Sequence, residues 1–176
     1  MSDVKLTVLG GKGTGKSVLL PANPPVVNYP DVRPQKTKCT LPSELHWADG
    51  FVIVYDISDR PSFAFAKALL CRIREPQTTH CKRMVEPAVV LVGNKQDLCH
   101  MREVDWEEGH KLAIDFRCQF CELSAAEQSL EVEVMFLRLI KEILMIFKHK
   151  EKRRSSGSKS MAKLINNVFG KRRKSV

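Results

Sequence analysis

The chain has 176 residues, 43% of them hydrophobic, which is enough apolar material for the core of one domain of ordinary size. No apolar run approaches the roughly 20 residues of a membrane-spanning helix, and Met1-Ser2-Asp3-Val4-Lys5 has no basic region leading into a signal-length apolar stretch, so a cytoplasmic protein is expected. Of the net charge of +9, residues 148–176 supply +10 (eleven Lys and Arg against Glu151) and residues 1–147 supply −1, so the folded part carries no field that would draw it to nucleic acid.

In chain order, Val4 to Leu9 is the first short, nearly continuous apolar run, the pattern of a strand buried on both faces of a parallel sheet. It leads directly into Gly10-Gly11-Lys12-Gly13-Thr14-Gly15-Lys16-Ser17, which fits G-x-x-x-x-G-K-[ST] at every specified position and is followed by a predicted helix, which the segment Leu20 to Pro30 does not favour beyond its first turn. A chance glycine-rich turn is the bland alternative, and the strand ahead of it argues against that. Glycines permit φ > 0 and let backbone N–H groups converge on a polyphosphate. Lys16 is placed for the β- and γ-phosphates, Ser17 for Mg²⁺, and the dipole of the following helix adds attraction for the anion. Six of the nine prolines then fall between Pro21 and Pro42, so that stretch is expected to be irregular, with one proline-bound edge strand at most.

Phe51 to Tyr55 and Ala88 to Val92 are two further buried strands, and Gln119 to Leu123 is a weaker fourth. Between them, Ser62 to Ile73 and Asp105 to Phe116 have helical spacing. The alternation predicts an α/β, doubly wound, mostly parallel sheet. After the Ala88–Val92 run comes Asn94-Lys95-Gln96-Asp97. An Asp97 carboxylate can accept from guanine N1–H and N2–H₂, a donor pair that adenine does not offer. Asn94 is expected to tie this loop to the phosphate loop, and the Lys95 stem to lie along the base. Alone N-K-x-D is a weak signal; it gains force from its place after a buried strand and from Glu122-Leu123-Ser124-Ala125-Ala126, where the Ala125 N–H is placed for guanine O6. All three loops then fall at carboxyl ends of parallel strands, where such folds bind ligands.

A last helix is predicted from about Leu130 to Phe147, with Leu130, Val134, Leu137, Leu144 and Phe147 facing inward. Residues 150–158 read as a flexible basic linker. Met161, Leu164, Ile165, Val168 and Phe169 then form one stripe of a short amphipathic helix, suited to an anionic membrane surface or a protein partner. A disordered basic tail or nuclear localisation signal is the competing reading, and no base-reading module for sequence-specific nucleic acid is present. The six cysteines lack a secreted disulfide framework, so free thiols are expected; Cys118-x-x-Cys121 invites a redox or zinc reading, against which stands a pair of buried structural thiols. The five histidines are dispersed.

These motifs, with His46-Trp47-Ala48-Asp49-Gly50-Phe51 and the ending Lys171-Arg172-Arg173-Lys174, resemble the Ras-type small GTPases over residues 1–20 and about 45–176. The resemblance implies a P-loop NTPase G domain over 1–147, a basic tail over 148–176, and a monomer that binds GDP and GTP with Mg²⁺. Its nucleotide site would comprise Gly10 to Val18, Asn94, Lys95, Asp97, Ser124, Ala125 and Ala126. If Asp31-Val32-Arg33-Pro34-Gln35 corresponds to the family's D-x-x-G-Q, Asp31 joins Ser17 at the metal and Gln35 orients the attacking water. Only residues 18–30 then remain for a helix, the first switch loop and a strand hairpin, so the domain is shortened in the switch I and second-strand region. No Thr stands between Ser17 and Asp31, and Pro34 replaces a glycine whose N–H would sense the γ-phosphate. GTP hydrolysis is therefore expected to be weak or absent. The rival reading is a nucleotide-independent interaction module that presents the tail. The prenylation box of many relatives is missing from Arg173-Lys174-Ser175-Val176, so peripheral membrane or nuclear placement would rest on charge.

Overall fold

Among the described residues five strands form one sheet: β1 (Lys5–Gly10), β2 (Val26–Asn28), β3 (Gly50–Asp56), β4 (Ala88–Asn94) and β5 (Gln119–Glu122). The computed structural model describes residues 4–19, 26–28, 47–75, 86–127 and 129–170, with backbone alone at 26–28, 129 and 153–170. Within them the spatial order is β2-β1-β3-β4-β5, and each neighbouring pair is parallel. Every residue of β3 and β4 is buried, which is why their sequences are unbroken apolar runs. The register sets Val8 beside Val52, Val52 beside Val90, Asp56 beside Asn94 and Val92 beside Cys121. Carboxyl ends of the strands therefore share one rim, and the order reverses at β1, so the crevice above β1 and β3 is the switch point of the sheet.

Period-two alternation sorts the core into two layers. Phe51, Ile53, Tyr55, Val89 and Leu91 face helices α1 (Arg60–Arg74) and α2 (Trp106–Asp115), packing with Ala66, Leu69, Leu70, Ile73, Leu112 and Ala113. The opposite layer is covered by the part of α3 (Ser129–Gly170) that ends at Ile143, whose Cδ1 lies 2.7 Å from where a Cβ on Gly50 would sit. Helix α2 starts in a capping box formed by Asp105 and Glu108. Arg74, at the end of α1, donates from Nε to the Phe116 carbonyl (3.0 Å), from Nη2 to Arg117 O (3.0 Å) and from Nη1 to Pro87 O (3.3 Å). One guanidinium thus serves the carboxyl end of α2, where a cation is favoured, and the start of β4.

Two expectations for the last helix are corrected. The inward residues of α3 are Val132, Met135, Phe136, Leu139 and Ile143, whereas Leu130, Val134, Leu137 and Leu144 are 71, 38, 56 and 43% exposed. The segment is apolar on two sides, and periodicity alone cannot choose which side meets the sheet. Second, 150–158 does not interrupt the helix, which continues to Gly170. Lys, Arg and Glu are good helix formers, and the cost of Gly157, about 1 kcal/mol, is set against a long run of them. The chain separates into two units, Met1–Ile143 and Leu144–Val176, a division that falls within α3.

Cys118 and Cys121 are free thiols on opposite layers. Cys118 packs against the core beneath α1 and α2, and Cys121 lines a groove beside Val134 and Met135. Burial pushes their pKa values up to about 11 and about 12, so neither is a thiolate near neutral pH, which suits structural thiols.

Candidate functional site

β1 ends at Gly10, where a Cβ would sit 2.3 Å from the Val54 carbonyl oxygen of β3, so only glycine lets the chain turn this close to the neighbouring strand. Gly15 has φ +84°, and its Cβ would lie 2.3 Å from Asn94 Nδ2. Between them Thr14 is buried and donates from Oγ1 to Gly11 O at 2.9 Å, while Lys12 and Gly13 are exposed. Lys16 folds back over the loop: its Nζ donates to Gly10 O at 3.0 Å and Gly11 O at 2.6 Å. Ser17 and Val18 are exposed, and the Val18 N–H donates to Gly15 O at 3.1 Å. The single turn expected after this loop is present as a 3₁₀ turn, Lys16–Val18. Only residues 19–25 separate that turn from β2, and Pro21, Pro24 and Pro25 lie among them. The turn ends at Leu19, whose N–H donates to Lys16 O at 3.2 Å. The macrodipole of a long helix is accordingly not available to an anion at this loop.

A second loop leaves β4 at Asn94, which is 2% exposed. Asn94 Nδ2 donates to Thr14 O at 2.9 Å, and the Ala125 N–H donates to Asn94 Oδ1 at 2.9 Å. One side chain therefore joins the loops that follow β1, β4 and β5. The tie to the phosphate loop is the one expected; the Ala125 N–H, expected for a guanine oxygen, is engaged by Asn94 in this structure. Asp97 opens the 3₁₀ segment Gln96–Met101, is exposed, and accepts from Ser124 Oγ at 2.6 Å through Oδ1. That bond orients the carboxylate and leaves Oδ2 without a hydrogen bond among the described residues. Backbone bonds from Gln96 N to Leu123 O (3.2 Å) and Leu123 N to Gly93 O (2.9 Å) lock the two loops together, and Ala126 sits exposed in the following turn.

The Ras family sequence model matches residues 38–145, well over half of the chain. The chain belongs to the Ras family. Ras-related and estrogen-regulated growth inhibitor-like protein of Bos taurus is 67% identical over 204 aligned positions that cover the whole of both chains. The Homo sapiens protein of the same name is 82% identical over 142 residues, 81% of this chain and 69% of its own length. GTP-binding protein RAD of Mus musculus is 33% identical over 147 residues, 80% of this chain and 46% of RAD. The bovine alignment has 204 positions against 176 residues here, so 28 positions of that relative have no counterpart in this Ras-family chain.

Two ion pairs at this Ras-family site were not foreseen from sequence. Arg102 grips Glu122 with two bonds, Nη1 to Oε1 at 2.9 Å and Nη2 to Oε2 at 2.7 Å, with the Glu122 side chain 3% exposed. It fastens the end of the Gln96–Met101 segment to the end of β5. Lys95 Nζ lies 2.5 Å from Asp56 Oδ2, so its ammonium is directed at β3, where the sequence reading considered only the stem. Burial raises the Asp56 pKa, but hydrogen bonds from Lys95 and Ser58, with the Lys95 charge, outweigh it and hold the carboxyl below the ordinary carboxylate value. The remaining predicted residues, Asp31 at the metal and Gln35 at the water, lie outside the described residues. Among the described residues no group of three His, Cys, Asp or Glu side chains could hold a metal ion.

Proposed function

We propose that this chain binds GDP and GTP in the crevice above β1, β3 and β4, and that it turns GTP over slowly or not at all. The observation that carries this reading is the Asn94 bridge, which joins Thr14 of the glycine-rich loop, 80 residues away, to the loop that holds Asp97. The residues fit the ligand chemically. Gly10 and Gly15 leave space that a Cβ would fill, Lys16 holds a cation over the loop, and Asp97 offers an oriented acceptor. Mg²⁺ would be held by the Ser17 hydroxyl and phosphate oxygens, an arrangement in which this ion keeps several waters.

Poor turnover follows from what the short connection can hold. Hydrolysis needs Mg²⁺ clamped from two sides, an oriented water and donors around the γ-phosphate. Residues 18–30 contain no Thr for the second clamp, and proline at 34 offers no N–H. The tail, residues 150–176, is assigned an anionic surface on the strength of its charge and its Met161, Leu164, Ile165, Val168 and Phe169 spacing.

Titration with a fluorescent GDP analogue in Mg²⁺ tests the reading. We expect saturable binding that GDP and GTP displace alike and ATP does not, followed by single-turnover phosphate release near the uncatalysed background. A folded sample with no saturable signal would favour a nucleotide-independent module, and phosphate release that Gln35→Ala abolishes would overturn the turnover claim.

A further inference from the structure

Lys95 stands out twice. Its backbone is left-handed (φ +66°, ψ +41°), one of two non-glycine residues with positive φ among those described. Its ammonium is paired with a carboxylate that is itself built into the end of β3. Asp56 is 6% exposed, with Oδ1 accepting from the Ser58 N–H (2.9 Å) and the Ser58 hydroxyl (2.6 Å), and Oδ2 facing Lys95. A second clamp holds the backbone at the same place: Ser62 Oγ accepts from the Asp56 N–H at 2.9 Å, and the Ile57 N–H donates to Asn94 O at 3.2 Å. Register sets Asp56 directly beside Asn94, so this carboxylate sits at the root of the loop that carries Asp97.

Left-handed backbone is disfavoured at a residue with a side chain and persists only where the surroundings over-determine it. The turn at Lys95 is what swings the chain from β4 into the segment that presents Asp97, and Leu98 N donates to Lys95 O at 2.8 Å to close it. We propose that Asp56 is a positioning residue for base recognition: by holding the Lys95 ammonium it lays the lysine stem across the floor of the base site and keeps Asp97 aimed. This rests on the nucleotide-binding reading above and adds a residue outside the recognition motifs. Asp56 acts through Lys95, so the two should behave as one unit.

In Asp56→Asn the two Ser58 donors keep the amide oxygen at the Oδ1 position, which turns an N–H₂ donor toward the Lys95 ammonium and breaks the pair while the shape is kept. With the pair broken we expect GDP to dissociate about tenfold faster, equivalent to about 1.4 kcal/mol. Lys95→Met keeps an apolar stem and discards the ammonium; it should give a similar increase, and it carries the prediction if Asp56→Asn does not fold. The deciding measurement is the cycle of wild type, Asp56→Asn, Lys95→Met and the double variant, read by stopped-flow release of fluorescent GDP beside nucleotide-free thermal melts. Support is a double variant within about twofold of Lys95→Met alone. Independent, multiplying effects would overturn the proposal, since Asp56 would then act through general stability. So would single variants that release GDP at the wild-type rate. A wild type that binds no GDP would overturn the nucleotide reading itself, and this proposal with it.

Discussion

Replacing Asp97 with Asn will lower the affinity for guanine nucleotide by a hundredfold or more and transfer preference to xanthine nucleotide. The carboxylate would accept two hydrogen bonds from the guanine edge, and bonds to a charged group contribute about 1.5 to 3 kcal/mol each. In the Asp97→Asn variant one acceptor becomes an N–H₂ donor facing donors, so attraction is replaced by a clash of like polarity. A total loss of about 3 to 5 kcal/mol corresponds to roughly two to three and a half powers of ten in Kd. Xanthine carries a carbonyl where guanine carries its amino group, and that carbonyl accepts from the new amide. The expectation is specific to this side chain, because the bond from Ser124 Oγ, 2.6 Å from Oδ1, fixes its plane. Competition titrations with GDP and xanthosine diphosphate check it; equal weakening toward both would show that Asp97 does not meet the base.

Asn94→Ala has the second large effect, and it reaches stability as well as binding. The substitution leaves the Thr14 carbonyl and the Ala125 N–H without the partners seen at 2.9 Å on each side. An orphaned buried polar group costs about 1 to 3 kcal/mol, so the pair sums to roughly 3 kcal/mol. For a domain of this size that lowers Tm by about 6 to 12 °C. GDP affinity should fall about a hundredfold, since the phosphate loop and the base loop lose their common anchor. Thermal melts together with GDP titration of the variant measure both, and an unchanged affinity would mean that the two loops do not serve one ligand. Gly15→Ala offers a second view of the same contact, because its Cβ would displace Asn94 Nδ2.

What could be read in advance followed burial and motif spacing. β3 and β4 were legible as FVIVY and AVVLV because both faces of those strands are covered, and each such run admits few structures other than a parallel strand. The Asn94 tie was legible because the motif carries its own chemistry. The phase of α3 was not: Leu130, Val134 and Leu137 make as good a stripe as Val132, Met135, Phe136 and Leu139, and docking onto the sheet decides between them. The 3₁₀ turn Lys16–Val18 was half legible, since the prolines beyond it argue against a long helix but the motif by itself suggests one. Asp56 was missed because nothing near it in sequence announces Lys95, 39 residues away. Aligning the ends of the two buried runs would put Asp56 beside Gly93; the register that sets Gly50 against Ala88, and so Asp56 beside Asn94, is shifted from that by one residue and comes from the folded sheet.

Thermal denaturation with and without nucleotide tests most directly whether a G domain shortened in this way still closes on guanosine phosphate. GDP at about a hundred times its Kd should add roughly 2.7 kcal/mol of apparent stability, a rise of several degrees in Tm, while ADP at the same concentration should add none. A melting curve indifferent to GDP, or shifted equally by ADP, would contradict the account.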